Sequence, residues 1–196
     1  MKLVVLESPN KKAKVSHYLG AGFTVEATAG HFRDLPTEGL GVDLATFTPD
    51  YVVDPDKKGL VKKLQSLAAS ADQVLLASDA DREGEAISWH LSEVLGLKKP
   101  MRLKYVEITE KALKDALANL TPLDQHLADA AQARRIIDRL YRYQVSPMLI
   151  RHGIGRSAGR VQTPTLHLVV ARELEREAFK PTPYWTLSAH YANGLT

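Results

Sequence analysis

The sequence predicts an α/β domain with a largely parallel sheet flanked by helices, followed by a mainly helical segment. Three observations carry this. Short apolar runs with the length of buried strands, Leu3-Val4-Val5-Leu6 and Gln73-Val74-Leu75-Leu76-Ala77, are each followed by residues at helical spacing. Strands and helices alternate over the first hundred or so residues, the signature of a parallel sheet with helices on its faces. Beyond Ala128 the pattern turns helical and basic: seven arginines, no lysine and one acid, Asp138, lie between Arg134 and Arg160.

The chain has 196 residues, 44% hydrophobic and 25% charged, with a net charge of +3: one large domain, or one domain plus part of another. No apolar run approaches the length that spans a bilayer, so no membrane partner is expected. Met1-Lys2 leads straight into a strand-like segment without a signal peptide, and a cytoplasmic location is expected. With no cysteine, disulfides and a thiolate zinc site are excluded within these residues. The charge excess is too small to name a partner; its distribution says more.

The first strand ends on Glu7-Ser8-Pro9-Asn10-Lys11, which puts a carboxylate at a strand's carboxyl end. Ser8 or Asn10 can cap a helix over Lys11–Leu19, and Gly20 can end it. Lys11 in that first turn opposes the helix dipole unless an anion such as phosphate sits there too. Taken singly, Glu7 also reads as a solvated loop acid and Lys11 as a surface lysine. Phe23–Ala27 alternates as a strand and leads to Gly30-His31-Phe32-Arg33-Asp34-Leu35-Pro36. Residues 37–55, rich in Gly, Pro and Asp, read as a surface excursion without regular structure. Leu60, Val61, Leu64, Leu67 and Ala68 then recur at helical spacing opposite Lys57, Lys58, Lys62 and Lys63, an amphipathic helix with a solvated lysine face.

Ser78-Asp79-Ala80-Asp81-Arg82-Glu83-Gly84-Glu85 joins the second apolar run to a helix that ends at Gly96. Ligands of an open α/β sheet sit beyond the carboxyl ends of its strands, so Asp79 and Asp81 project at such an edge, alongside Glu7 if the two strands are neighbours. Four carboxylates within seven residues repel one another. A hard divalent cation such as Mg²⁺ relieves them and keeps waters that a phosphate can displace. The alternative is an acidic helix start with Arg82 as counter-ion, which accounts for Glu83 and Glu85 better than for the two aspartates.

Met101–Ile108 reads as a further strand, and Thr109 as the cap of a helix through Leu120 with Glu110 well placed in its first turn. Thr121-Pro122 marks a boundary, dividing the chain into residues 1–120, 121–180 and a further segment, 181–196. In the second unit Arg135, Arg139 and Arg142, at i, i+4 and i+7, line one helical face beside Ile136, Leu140 and Tyr143. Arginine suits fork-like pairing with phosphate and stacking on bases, and Tyr141 and Tyr143 add aromatic surface. With no matching acidic face nearby in sequence, a nucleic-acid strand is the expected partner; an exposed basic face with tyrosines in a core is the alternative. Gly153–Arg160 is small and flexible enough for backbone N–H groups to approach phosphate. A helix over Thr165–Phe179 is broken by Lys180-Pro181-Thr182-Pro183, and Tyr184–Tyr191 alternates as a strand.

Five tracts occur together and in order: Glu7-Ser8-Pro9, Gly30–Pro36, Asp79–Glu85, Gln132-Ala133-Arg134-Arg135 with Asp138-Arg139, and Ser157-Ala158-Gly159-Arg160-Val161-Gln162. Through them, from Met1 to about Trp185, the chain resembles the amino-terminal part of a bacterial type IA DNA topoisomerase, closer to topoisomerase I than to topoisomerase III. The resemblance implies a Toprim domain, Rossmann-like, over residues 1–120 and the start of the helical domain that grips single-stranded DNA over 121–180. It implies Glu7 as general acid at the scissile phosphate and neighbour of the metal, Lys11 on the phosphate, and Asp79, Asp81 and Glu83 as holders of Mg²⁺. It implies His31, Arg134, Arg135, Asp138, Arg139, Tyr143, Ser157, Gly159, Arg160 and Gln162 as the residues that position the strand.

Enzymes of this family break one strand of negatively supercoiled DNA by attack of a tyrosine, pass another strand through the gap and reseal it. The family's nucleophile lies in a later domain, beside Arg-Thr and a Ser. None of Tyr18, Tyr51, Tyr105, Tyr141, Tyr143, Tyr184 and Tyr191 has that neighbourhood. The chain is therefore expected to act as a monomer that carries the acid, the metal site and part of the DNA groove, without relaxing DNA by itself. Two other classes fit parts of the pattern. A different Toprim nuclease or primase would use the same Glu and Asp-x-Asp with another nucleophile, but would lack the two arginine-bearing tracts. A non-catalytic single-strand-binding module would need the arginines and not the aspartates.

Overall fold

The computed structural model describes residues 1–192. In chain order its elements are β1 (Lys2–Leu6), α1 (Lys12–Leu19), β2 (Phe23–Ala27), β3 (Arg33–Asp34), β4 (Val52–Val53), α2 (Lys58–Ser70), β5 (Gln73–Ala77), α3 (Arg82–Leu95), β6 (Met101–Arg102), α4 (Glu110–Ala118) and β7 (Thr121–Pro122). The helices α5 (Gln125–Leu140), α6 (Ser146–Arg151) and α7 (Gln162–Ala178) follow.

One sheet runs in the order β2-β1-β5-β6-β7, parallel throughout except for β7. The register sets Leu6 opposite both Ala27 and Ala77, so three strands end level at one edge. From Leu3 to Leu6 β1 is apolar without interruption because both its faces are covered. Leu3 and Val5 enter one core with Phe32, Val61, Leu64, Leu76, Ile87 and Leu91, under α2 and α3. Val4 and Leu6 enter the other with Val15, Val25, Leu75, Leu103 and Leu113, under α1 and α4. The expected α/β architecture and the helical segment after it are both present.

Several local expectations change. A 3-10 turn over Pro9–Lys11 precedes α1, and neither Ser8 nor Asn10 caps it through its side chain. The excursion over 37–55 is not wholly irregular, since β3 pairs with β4 antiparallel and Val42 bridges Pro49. The strand expected over Met101–Ile108 lasts two residues. Beyond Leu103, whose N–H still bonds Leu76 O, the chain turns outward and leaves Val106 fully exposed. Thr121-Pro122 forms β7 at the sheet's edge, a position that tolerates a proline.

α5 and α6 are joined by one π-helical turn, Tyr141–Val145, in which Ser146 N–H bonds Tyr141 O. Pro147 has no N–H and its ring conflicts with the carbonyl four residues before it, a conflict that the wider turn relieves. α7 starts at Gln162, three residues before its expected start, and none of its residues is buried. Residues 180–191 carry no regular structure, so the strand expected over Tyr184–Tyr191 is not formed; a strand needs a neighbour, and none stands beside it among the described residues. The last four positions of the 181–196 segment lie outside the described residues. Among the described residues no helix is long and apolar enough to cross a membrane.

Candidate metal and nucleic-acid site

The level ends of β1 and β5 deliver Glu7 and the turn Ser78–Asp81 to one edge of the sheet. That turn is held from beneath by Arg102, which is completely buried. Its Nη1 lies 3.0 Å from Leu76 O, 2.8 Å from Ser78 Oγ and 2.7 Å from Ser88 Oγ, and its Nη2 donates to Ser78 O and Asp79 O at 3.1 and 3.0 Å. Its Nε donates to the Glu85 carboxylate at 3.1 Å. Glu85 also accepts the Asp124 N–H at 2.7 Å and lies 3.4 Å from Lys104 Nζ. Both buried charges are thus hydrogen-bonded, the condition under which such a pair is tolerated. Gly84 completes the turn, because a Cβ there would overlap the Asp79 carbonyl.

Each acid of the rim meets a protein donor. Lys11 Nζ is 2.5 Å from Asp79 Oδ1, tying the loop after β1 to the loop after β5. Asp81 accepts the Gly84 N–H at 2.7 Å and so caps α3. Glu83 Oε1 is 2.9 Å from His31 Nε2. Glu7 is pushed above the usual carboxylate range, first by burial and then by the charge of Asp79; the Asp79 backbone opposes this with a hydrogen bond, and the charges of Asp81 and Glu83 add to it. Among the described residues no three His, Asp or Glu side chains are gathered closely enough to hold a metal ion. The donor set is nonetheless all carboxylate oxygen, the set a hard divalent cation takes, and the repulsion felt at Glu7 is what such a cation offsets. Glu85 stands apart from this rim as the buried partner of Arg102.

α5 packs across α3 with Ala128 fully buried between them. Arg135 grips Asp34 as a fork, Nε to Oδ1 at 2.8 Å and Nη2 to Oδ2 at 2.5 Å. Burial pushes the Asp34 carboxyl up, but hydrogen bonds from Arg135 and the Leu35 N–H outweigh it and hold it below the usual range. Arg139 is 7% exposed; its guanidinium lies 3.4 Å from Leu35 O and Gly39 O and over the Tyr143 ring, whose hydroxyl donates to Thr37 O. The expectation of an arginine face without acidic neighbours is corrected here. The acid and the carbonyls come from residues 34–39, about a hundred positions upstream and outside any local pattern.

The expected strand-positioning residues fall into three groups. His31, Arg134 and Arg135 line a cavity of about 390 Å³ between α3 and α5, together with Arg33, Tyr51 and His90. Ser157, Gly159, Arg160 and Gln162 line an open hollow of about 830 Å³ beside α6 and α7, joined by Arg142. There Arg160 Nε bonds Asp138 Oδ1 at 3.1 Å and Gln162 Nε2 donates to Ser157 Oγ at 2.9 Å. Asp138 borders both spaces. Arg139 and Tyr143 form the third group, turned into the loop at 35–39. Arg142 lines the second hollow and not the first, so it does not share a surface with Arg135 as the spacing predicts. Sequence reasoning missed Arg102, Arg33 and His90; the one available signal was an arginine inside the apolar stretch Met101–Leu103.

The Toprim domain family matches residues 2–111, more than half the chain. The chain belongs to the Toprim family. A DNA topoisomerase family matches residues 122–196. This Toprim chain is 48% identical to DNA topoisomerase 1 of Streptomyces coelicolor over 209 residues, covering 98% of this chain and 22% of that protein. It is 46% identical to the plasmid DNA topoisomerase I of Xylella fastidiosa over 197 residues, covering 100% of this chain and 30% of that one. Its fold is similar to that of a full-length topoisomerase I from Thermotoga maritima, with a TM-score of 0.82 and 40% identity over 92% of this chain and 31% of that one. The chain thus spans less than a third of the length of these relatives. The resemblance to bacterial type IA topoisomerases is borne out, and the Toprim family and the oxygen donors of the rim are compatible with a divalent metal.

Proposed function

We propose that the chain supplies the metal-binding edge and the first part of the DNA groove of a type IA DNA topoisomerase. Such an enzyme relaxes negative supercoils by forming a 5′-phosphotyrosine on one strand, passing a strand through the break and resealing it. The observation that carries this reading is the delivery of Glu7 and of Asp79, Asp81 and Glu83 to one sheet edge by the level ends of β1 and β5, with Lys11 bound to Asp79. Glu7, raised in pKa, is suited to hold a proton and donate it to the departing sugar oxygen. Lys11 meets a phosphate oxygen as a compact cation. Asp79, Asp81 and Glu83 would hold Mg²⁺, which when bound offsets phosphate charge.

His31, Arg134, Arg135 and Asp138 guide the strand past α3, and Ser157, Gly159, Arg160 and Gln162 carry it along the second hollow. Arg139 and Tyr143 fix the wall at residues 35–39 beside it. The partner is a single-stranded segment of negatively supercoiled DNA, met by a cytoplasmic monomer. None of the seven tyrosines serves as nucleophile. Tyr105 is the plainest case, its hydroxyl buried without a partner and pushed up to about 12 by burial.

The test is a denaturing gel of the chain with labelled single-stranded DNA, with and without Mg²⁺, and a native gel of the same mixtures. Salt-sensitive binding without a covalent adduct is expected. An adduct would make one of these tyrosines a nucleophile, and absence of binding would remove the DNA groove.

A further inference from the structure

We propose that Lys57 is a positioning residue for the acidic rim: its ammonium holds the turn Thr28-Ala29-Gly30, which sets Glu7 and His31 toward the strand. The proposal rests on the single-strand reading above and adds to it a residue that acts through others.

The turn is fastened to the backbone that carries Glu7. Thr28 is fully buried; its N–H bonds Leu6 O at 2.9 Å and its hydroxyl donates to Glu7 O at 3.4 Å. The Gly30 N–H bonds the same Glu7 carbonyl at 3.2 Å. One residue further on, His31 Nε2 meets Glu83. The turn thus links the loop after β1 to the first turn of α3, and a change in its shape moves both.

Ala29, between the two fastenings, stands at a φ of 55°. Residues other than glycine enter this left-handed region at a cost. The Ala29 side chain is exposed, so packing does not force it there. What meets its carbonyl is Lys57, whose Nζ donates to Ala29 O at 3.1 Å and to Thr28 O at 3.4 Å. Two successive carbonyls converge on one ammonium, which favours the backbone conformation that brings them together.

Lys57 takes this place against the preference of its own helix. It stands immediately before α2, at the amino end, where the helix dipole disfavours a cation. The spacing groups it with Lys58, Lys62 and Lys63 on a solvated face, yet it is half-buried, and among the described residues its ammonium meets carbonyls and no carboxylate. Its backbone is fixed relative to the turn as well. The Lys57 N–H bonds Asp54 O at 2.9 Å, and the Asp54 N–H bonds Phe32 O at 3.0 Å, one residue past His31, with the Phe32 ring buried in the core.

The test compares Lys57→Met, Lys57→Arg and Lys57→Met/Ala29→Gly with the unaltered chain, each checked for folding by circular dichroism. Two quantities are read: the His31 ring signals in a long-range ¹H–¹⁵N spectrum, identified among the seven histidines with His31→Gln, and the affinity for a labelled oligothymidylate. Lys57→Met is expected to move the His31 signals and weaken binding about fivefold, the worth of one hydrogen bond. Lys57→Arg keeps a cation with several donors and leaves both near their original values. Ala29→Gly recovers most of both in the Lys57→Met background, because glycine takes a positive φ without a cation beside it. Should Lys57→Met not fold, Lys57→Gln serves in the same comparison. Unmoved His31 signals and unchanged affinity overturn the proposal. Weaker binding with His31 unmoved and no recovery from Ala29→Gly also overturns it, and makes Lys57 a direct contact of the strand. If the unaltered chain does not bind the oligonucleotide, the single-strand reading falls; His31 signals that move in Lys57→Met and return with Ala29→Gly would still uphold the hold of Lys57 on the turn.

Discussion

Arg102 is the residue on which the acidic turn rests. It was invisible as such in the sequence because its partners, Ser78, Glu85 and Ser88, come from the preceding turn and helix and meet it only once β5 and β6 pair. Arg102→Met would leave the buried Glu85 carboxylate with only the Asp124 N–H and the more distant Lys104, at a cost of about 3 kcal/mol. Urea unfolding should show that loss, and Arg102→Met combined with Glu85→Gln should recover most of it. His90 carries a second residue-scale prediction. Burial, followed by the charges of Arg33 and His31, lowers its pKa from 6.5 to about 4, so the folded chain holds it neutral. The unfolded chain takes up that proton first. Stability therefore has no His90 contribution to lose above pH 6.5, declines as pH falls below it, and has lost up to about 3 kcal/mol by pH 4. The stability difference between the unaltered chain and His90→Gln, followed from pH 7 to pH 4, should narrow by that amount; a difference independent of pH would show that the ring is not held neutral.

At the scale of the element, two glycines in helices predict opposite outcomes. Gly84 in α3 has the Asp79 carbonyl where a Cβ would stand, whereas Gly59 in α2 faces open space. Gly84→Ala should cost about 2 kcal/mol or more and deform the turn that carries Asp79 and Asp81. Gly59→Ala should stabilise by about 0.5–1 kcal/mol, since it only removes helix-opposing freedom. Thermal melts of the two variants decide both. The elements that could be read from sequence were those whose cause is local. After their first residues β1 and β5 are apolar and covered on both faces, Thr109 and Gly96 cap their helices, and α2 shows its stripe. The two-residue strands β3, β4 and β7 could not be read, because a partner distant in sequence makes each of them, and β6 was read too long. The strand expected at Tyr184–Tyr191 failed for the converse reason: alternation supplies a face but not a neighbour.

At the scale of the whole molecule, the first unit and the arginine-bearing helix are held together by the Asp34–Arg135 fork, the buried Arg139 and the packing of Ala128. The rim was legible in outline, since Glu7 and the Asp79–Glu83 run do share an edge; the arginines were legible as a cluster but not in their partners. The Asp34–Arg135 pair is half exposed on both sides, so its contribution to stability is at most about 1 kcal/mol. Asp34→Asn should therefore melt near the unaltered chain. It should bind single-stranded DNA more tightly and with a steeper salt dependence, because a guanidinium is released to phosphate; a large drop in melting temperature would instead make the fork a structural keystone. The π-turn at Tyr141–Val145 acts on this same rod as a frameshift acts on a message. One extra residue in a turn advances everything after Ser146 by about 100°. The side chains of α6 are thus written one letter out of step with those of α5, and counting in threes and fours from Arg135 no longer says where they face.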